Sequence, residues 1–406
     1  MPSVEAGSGV PRAARLRDGQ ESSAGASDDA APTRVGLLTH RRVRPWAAAL
    51  VVFAVAAPLL WAFYARHPLL YDTDSSYHLA VARAMAEQGL HPRLPAVRMS
   101  ALTQYGFSDN VLLFHAVLVP FAARQDPIAG GRAALALLDA AILGALAGLG
   151  CAALGWWGLL VPLAASLGSL ETCWRLVRLR PELLALLLLL LALAAAAKRR
   201  YRTLGALAAL FALSYVAWHA FLGLFLLLFA WRGWARRTWD WPLLLYPTLG
   251  TGVGLLVHPA FPANLLLWKV AAWDVLASKA ALDSGTELGP ASTQVVLLAN
   301  LGFWAVAAIF WRAREPALAL VDERTTSAMD EGSQANAREH VDAFGLAALC
   351  FGGLYAMVSR FALYFYPLAL LWLAFFIRGR GERIGGRVRL PLRGSVPTWA
   401  ALALAT

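Results

Sequence analysis

Apolar residues run along this chain in blocks, and short polar or arginine-bearing stretches divide one block from the next. A helical block of about 20 apolar residues is long enough to cross roughly 30 Å of hydrocarbon. Residues 46–65, 181–197 and 361–377 read as crossings of this kind, and 203–217, 219–231, 241–257, 292–311 and 343–358 repeat the pattern. Residues 110–123 read as the second crossing, ending at Arg124 and Arg132. The apolar stretch 132–170 admits two short crossings, or one broken crossing with a partial helix near Gly155, Trp156, Trp157 and Pro162. Another apolar run starts at Trp399, so the chain is expected to be truncated or to end in a partial span. The pattern predicts an all-α polytopic membrane protein, a bundle of about ten or eleven transmembrane helices. It shows no fixed-period repeat and no Gly/Pro-broken spans at matching places in two halves, which weakens a transporter reading.

Composition agrees with the pattern. Hydrophobic residues make up 59% of the chain and charged residues 15%, and the mean hydropathy is +0.56. These values exclude a water-soluble enzyme and a disordered hub. The net charge of +11 comes almost wholly from arginine, because Lys198, Lys269 and Lys279 are the only lysines. The arginines cluster between apolar blocks, as positive-inside topology and anionic headgroups require, and nucleic acid is not an expected partner. Cys151, Cys173 and Cys350 form no CxxC pair and read as small apolar residues.

Topology follows from the basic clusters. Residues 1–34 are rich in Ser, Ala, Gly and Asp without an apolar period and are expected to form a disordered cytoplasmic tail. The fold then occupies 35–406. His40, Arg41, Arg42 and Arg44 flank the first span and hold its start inside. Loops 66–109 and 258–291 are then external, and 313–341 is cytoplasmic. Either Arg175, Arg178 and Arg180 or the run Lys198, Arg199, Arg200 and Arg202 faces out. The second cluster is denser and caps its span directly, so it is placed inside.

With that choice the conspicuous polar residues gather on the outer side: Asp72, Asp74, His78, Asp109, His115, Glu182, His219, His258, Glu287 and Arg360. The stretch Tyr71-Asp72-Thr73-Asp74-Ser75-Ser76-Tyr77-His78-Leu79 is the most informative. Asp74 or Ser75 can cap a helix that runs to about Gln88 and stops at Gly89, lying along the interface. Two carboxylates one residue apart can bind a divalent ion, or one can act as a general base. The plainer alternative is an N-cap plus a solvated acid. Asp139 falls inside an apolar block and is expected to face the bundle interior.

An acidic motif followed by Tyr77-His78-Leu79 in the first external loop after one anchoring helix resembles the GT-C superfamily of integral-membrane glycosyltransferases. The resemblance extends, in order, over about residues 46–378. It takes in Asp109 to His115, Arg178-Leu179-Arg180-Pro181-Glu182, Tyr215 to His219, His258 to Leu265, Ser284 to Pro290 with Glu287, and Ser359-Arg360-Phe361 with Tyr364 to Pro367. There is no WWDYG motif, so peptide glycosylation is not implied. The resemblance implies a GT-C-like bundle whose external loop carries an interfacial helix, in a bacterial inner membrane with its site facing outside. It implies transfer of a hexose or pentose from a polyprenyl-phosphate donor to a lipid, glycan or protein acceptor.

In the implied mechanism Arg360 offers its guanidinium to the lipid phosphate, and Asp72 or Asp74 takes the acceptor's proton. His78, Glu182, His219 and Glu287 would contact substrate. A divalent cation, Mg or Mn, could sit on Asp72, Asp74 and Glu182, although such transfer can proceed without one. Structural alternatives stand beside each assignment: His115 and His219 as core histidines, Arg175, Arg178 and Arg180 as headgroup anchors, and Glu287 as a loop solvator. Trp218 or Trp268 could stack on a sugar. The alternative function is a transporter or flippase of a lipid-linked or anionic substrate.

Overall fold

The computed structural model describes residues 44–92, 108–270, 289–290, 292–312 and 331–383, all in one compact unit, Arg42–Thr406. The expectations for the first 34 residues, for Glu287, for 313–330 and for the run from Trp399 lie outside the described residues. Among the described residues every regular element is a helix, and five helices are long and apolar enough to cross a membrane unaided. The protein is an all-α polytopic membrane protein.

The first crossing, α1, is Pro45–Tyr64, with proline where the missing N–H leaves nothing unsatisfied. Helices α2 (Thr73–Gln88) and α3 (Leu112–Ala122) follow, and then the long α4 (Pro127–Leu154). At the start of α4, Arg132 donates to the carbonyls of Ala65 (3.4 Å) and His67, just past the end of α1. Near its end Gly148 lies on Pro45 and Gly144 on Ala49, so a Cβ at either would approach a backbone oxygen to 3.0 and 2.8 Å. The two helices therefore run antiparallel in close contact, through a small-xxx-small face of the kind that lets membrane helices approach.

This arrangement corrects the expected second crossing. Helix α3 has 11 residues, about half of what hydrocarbon demands. The carbonyl of its Phe121 abuts Gly130 at the start of α4, so α3 begins and ends on the α2 side of the bundle. Its Phe114, Leu118 and Ala122 are buried, and packing rather than lipid explains its apolarity. The crossing that leads back from the α2 face is α4. A 3₁₀ turn at Gly155–Leu159, α5 (Leu160–Leu167) and α6 (Leu170–Leu176) then return the chain as a broken segment. One crossing disappears and another replaces it, so the parity at Arg175 is unchanged.

Helix α7 (Pro181–Ala197) starts beside α2, and α8 (Tyr201–Ser214), α9 (Trp218–Arg236) and α10 (Trp241–Leu256) alternate in direction after it. A Cβ on Gly250 of α10 would fall 1.9 Å from the Gly205 carbonyl of α8, and one on Gly254 would fall 2.5 Å from that of Ala209. Helix α11 is Ala263–Trp268, and α12 (Thr293–Leu298) and α13 (Leu301–Arg312) are divided at Asn300. That division meets the one between α5 and α6. Leu170 N–H donates to the Ala299 carbonyl and Phe303 N–H to that of Gly168, each at 2.7 Å, and Ser169 Oγ–H donates to Asn300 Oδ1 at 2.5 Å. Backbone freed by each break is satisfied by the other, as the membrane interior requires.

The last crossings are α14 (Glu331–Met357), which begins inside the stretch expected to be a cytoplasmic loop, and α15 (Ala362–Arg383), preceded by a 3₁₀ turn at Ser359–Phe361. On the face opposite α2, Glu339 receives Arg199 at 2.9 Å, and Arg232 and Arg236 at 2.5 Å each. Arg232 also reaches Asp240 at 2.7 Å, to which Tyr201 donates at the same distance. Lys198 and its neighbours thus lie on one face and Arg175 to Arg180 on the other, the face on which α1 ends and Asp72 meets Arg180.

Candidate functional site

Helix α2 is capped by Asp72 rather than by Asp74 or Ser75. Its carboxylate accepts the Ser75 N–H at 2.8 Å and the Ser75 hydroxyl, and the helix stops at Gly89, whose φ of +88° suits glycine. The cap leaves Asp72 and Asp74 at the start of the helix. Arg180, one residue before α7, clasps both: Nε donates to Asp72 at 2.5 Å and a terminal nitrogen reaches Asp74 at 3.0 Å. Burial raises the Asp72 pKa, but the bonds from Ser75 and Arg180 outweigh it and hold the carboxyl below its ordinary range. Asp74 keeps 56% of its side chain exposed.

Beyond Arg180 lies a concentration of cations. Arg175, Arg178, Arg180 and Glu182 line one small cleft with Leu183 and Leu363. Glu182 is buried, and its Oε2 has no partner among the described residues. Arg178 stacks over Trp174 at 4.6 Å. Burial pushes the Tyr215 phenol up; Glu182 adds to the shift, and Arg360 and Arg175 oppose it. Arg180 thus joins Asp72 and Asp74 to the cleft that Glu182 lines, and Tyr364, four residues after Arg360, donates its hydroxyl to the Glu182 carbonyl at 3.4 Å.

A second polar group lies under α2. His78, one turn after Asp74, brings Nδ1 to 2.7 Å from His115 Nε2, and His115 Nδ1 lies 2.6 Å from Asp109 Oδ2. Asp109 Oδ1 accepts the Val111 N–H at 3.0 Å. His258 Nδ1 accepts the Ala260 N–H at 3.1 Å, so its Nε2 carries the proton donated to the Asp109 carbonyl at 2.7 Å. Tyr77 and Phe114 pack edgewise on the His78 ring. Burial and the adjacent His115 push the His78 pKa down to about 3; Arg180 assists, and Asp109 and Asp72 oppose.

That depression carries a stability consequence. A histidine whose folded pKa lies below its ordinary value of about 6.5 contributes stability that is complete above that value and is lost as pH falls toward about 3. Thermal midpoints measured across this window should fall with acidification in the wild type, and more shallowly in His78→Gln.

His219, at the start of α9, accepts the Trp268 indole N–H on Nδ1 at 2.9 Å. Trp218 and Trp268 pack at 4.9 Å between centroids, so both candidate sugar-stacking rings share one exposed corner. Asp139 is buried within α4 and accepts the Tyr64 hydroxyl at 2.6 Å, a partner that sequence spacing could not supply. A cavity of about 840 Å³ among α13, α14 and α15, lined by Phe303, Trp304, Leu346, Leu349, Phe365 and Trp372, touches none of the α2-face acids or arginines.

The expected metal set of Asp72, Asp74 and Glu182 meets an arginine at its first two members. Arg180 already bridges Asp72 and Asp74, and among the described residues no three His, Cys, Asp or Glu side chains could hold a metal ion. Sequence reasoning missed the Arg180 clasp and the Asp109–His115–His78 chain. The clustering of these residues on one side was its only signal for either. Comparison with family models, curated proteins and solved structures gave no match.

Proposed function

We propose that the protein is a membrane glycosyltransferase that moves a sugar from a polyprenyl-phosphate donor to an acceptor at the α2 face of the bundle. The observation that carries this reading is the union of an acidic helix start with an arginine cluster through Arg180. Guanidinium groups at a poorly hydrated interface suit a lipid-linked phosphate, which leaves with the negative charge when the sugar departs. Carboxylates beside them suit the hydroxyls of a sugar ring. Trp218 and Trp268 offer π faces for that ring. Apolar grooves between helices suit a polyprenyl tail.

Arg360 heads the turn before α15 and is the donor-phosphate ligand in this reading. Arg360→Ala should raise the apparent donor KM more than Arg360→Lys does. A charge-assisted hydrogen bond contributes about 1.5–3 kcal/mol, or roughly 10-fold to 150-fold in affinity. The assay is sugar transfer in proteoliposomes from polyprenyl-monophosphate-linked hexoses and pentoses. An unchanged donor KM in Arg360→Ala would remove the arginine from the site.

A further inference from the structure

The chain Asp109–His115–His78 has a defined direction. Asp109 Oδ2 is a carboxylate oxygen 2.6 Å from His115 Nδ1, so that nitrogen carries a proton and donates it. A neutral His115 then presents a lone pair on Nε2, and His78 Nδ1, 2.7 Å away, donates into it. The hydrogen bond of the His78 ring among the described residues is the one from Nδ1 to His115, which leaves Nε2 with its lone pair. Asp109 is itself fixed by the Val111 N–H and, through its carbonyl, by His258. A carboxylate held at both ends and aimed through two imidazoles at an open nitrogen is the arrangement that orients a base.

The two aspartates are poorly placed for that work. Asp72 already accepts from Ser75 twice and from Arg180, and Asp74 shares the same guanidinium. Each of these bonds stabilises the carboxylate and lowers its appetite for a proton. His78 stands one turn from Asp74 on α2. The ionisable groups around it are Asp72, Asp74 and Tyr77 of α2, Asp109 and His115 at α3, and Arg180 ahead of α7.

Resting on the transferase reading, we propose that His78 Nε2 is the proton acceptor of the site, with His115 and Asp109 as the relay behind it. The acceptor oxygen forms its bond to the anomeric carbon as the bond from that carbon to the phosphate oxygen breaks, and the phosphate leaves with the electron pair. The acceptor's proton passes to His78 Nε2 and the His78 Nδ1 proton to His115 Nε2, while His115 keeps its Nδ1 proton. The resulting His115 imidazolium is held by the Asp109 carboxylate, which stays ionised. Return of the proton along the same chain to the departing phosphate or to water resets the site.

The test uses purified full-length protein in proteoliposomes, with polyprenyl-monophosphate-linked hexoses and pentoses as donors and alkyl glycosides as acceptors. His78→Ala should lose about 100-fold or more in turnover, the usual contribution of a positioned base, with donor KM changed less than threefold. Added imidazole should restore part of the rate. His78→Gln, whose amide N–H can still donate to His115, should fold normally and stay slow. Asp109→Asn should fall by a similar factor. Wild-type turnover in His78→Gln, or no imidazole rescue of a folded His78→Ala, would make His78 structural and overturn the relay while the transferase reading stands. No transfer by the wild type across the panel would overturn both.

Discussion

Glu339→Ala should destabilise the protein by roughly 3–5 kcal/mol, the range for removing one member of a buried ion pair. Glu339 is 6% exposed by side chain and is the common acceptor for Arg199, Arg232 and Arg236, which come from the end of α7 and from α9. Arg232 is 1% exposed, so losing Glu339 leaves a guanidinium in the bundle with Asp240 as its carboxylate partner. The penalty is a buried charge left with one carboxylate in place of two, more than the lost attraction. Detergent-solubilised Glu339→Ala should show a much lower thermal midpoint and reduced membrane accumulation. Adding Arg232→Met should recover part of the loss, because the stranded charge goes with it. An unchanged midpoint in the single variant would mean that the cluster is hydrated and carries no structural weight.

The sequence made the class of fold legible because hydrocarbon imposes a length and a polarity on every crossing. It misassigned α3 for a physical reason. Apolarity reports burial, and a short helix packed under α2 is as apolar as one facing lipid. The face that Arg180 shares with the end of α1 was legible all the same, since positive clusters constrain sides more firmly than they constrain the count of spans between them. The candidate site was legible in part. One-sided polarity put Asp72, Asp74, Glu182 and Arg360 on a shared face, and Arg180 links the first three. The link itself was not legible. Arg180 lies 108 positions from Asp72, and a basic residue at a helix end reads first as a headgroup anchor. The contact of His78 with His115 spans 37 positions and depends on how α2 lies on α3, which no local pattern encodes. The Tyr64 hydroxyl on Asp139 is hidden in the same way, 75 positions away.

Arg180→Ala is expected to have the largest effect on activity of any single change outside the relay. It removes two charge-assisted contacts at once, to Asp72 at 2.5 Å and to Asp74 at 3.0 Å. Asp72 keeps its Ser75 bonds, so α2 stays capped and the fold should survive. What is lost is the alignment of the acidic helix start with the arginine cleft. At about 1.5 kcal/mol for each contact, the two together correspond to roughly 100-fold in turnover. Arg180→Lys should recover less than half of that free energy, because an ammonium lacks the planar fork that reaches two carboxylates. Normal turnover with a normal midpoint in Arg180→Ala would show that the clasp is only a staple between α2 and α7.

The central claim is that the α2 face transfers sugar from a lipid phosphate. Its most direct test is release of free polyprenyl phosphate, coupled one-to-one to a glycosylated acceptor, by the purified wild-type protein in liposomes carrying a polyprenyl-monophosphate-linked sugar. The account predicts coupled release from at least one hexose or pentose donor, lost in Arg180→Ala. Movement of intact donor across the bilayer with no cleavage of its sugar–phosphate bond would contradict it.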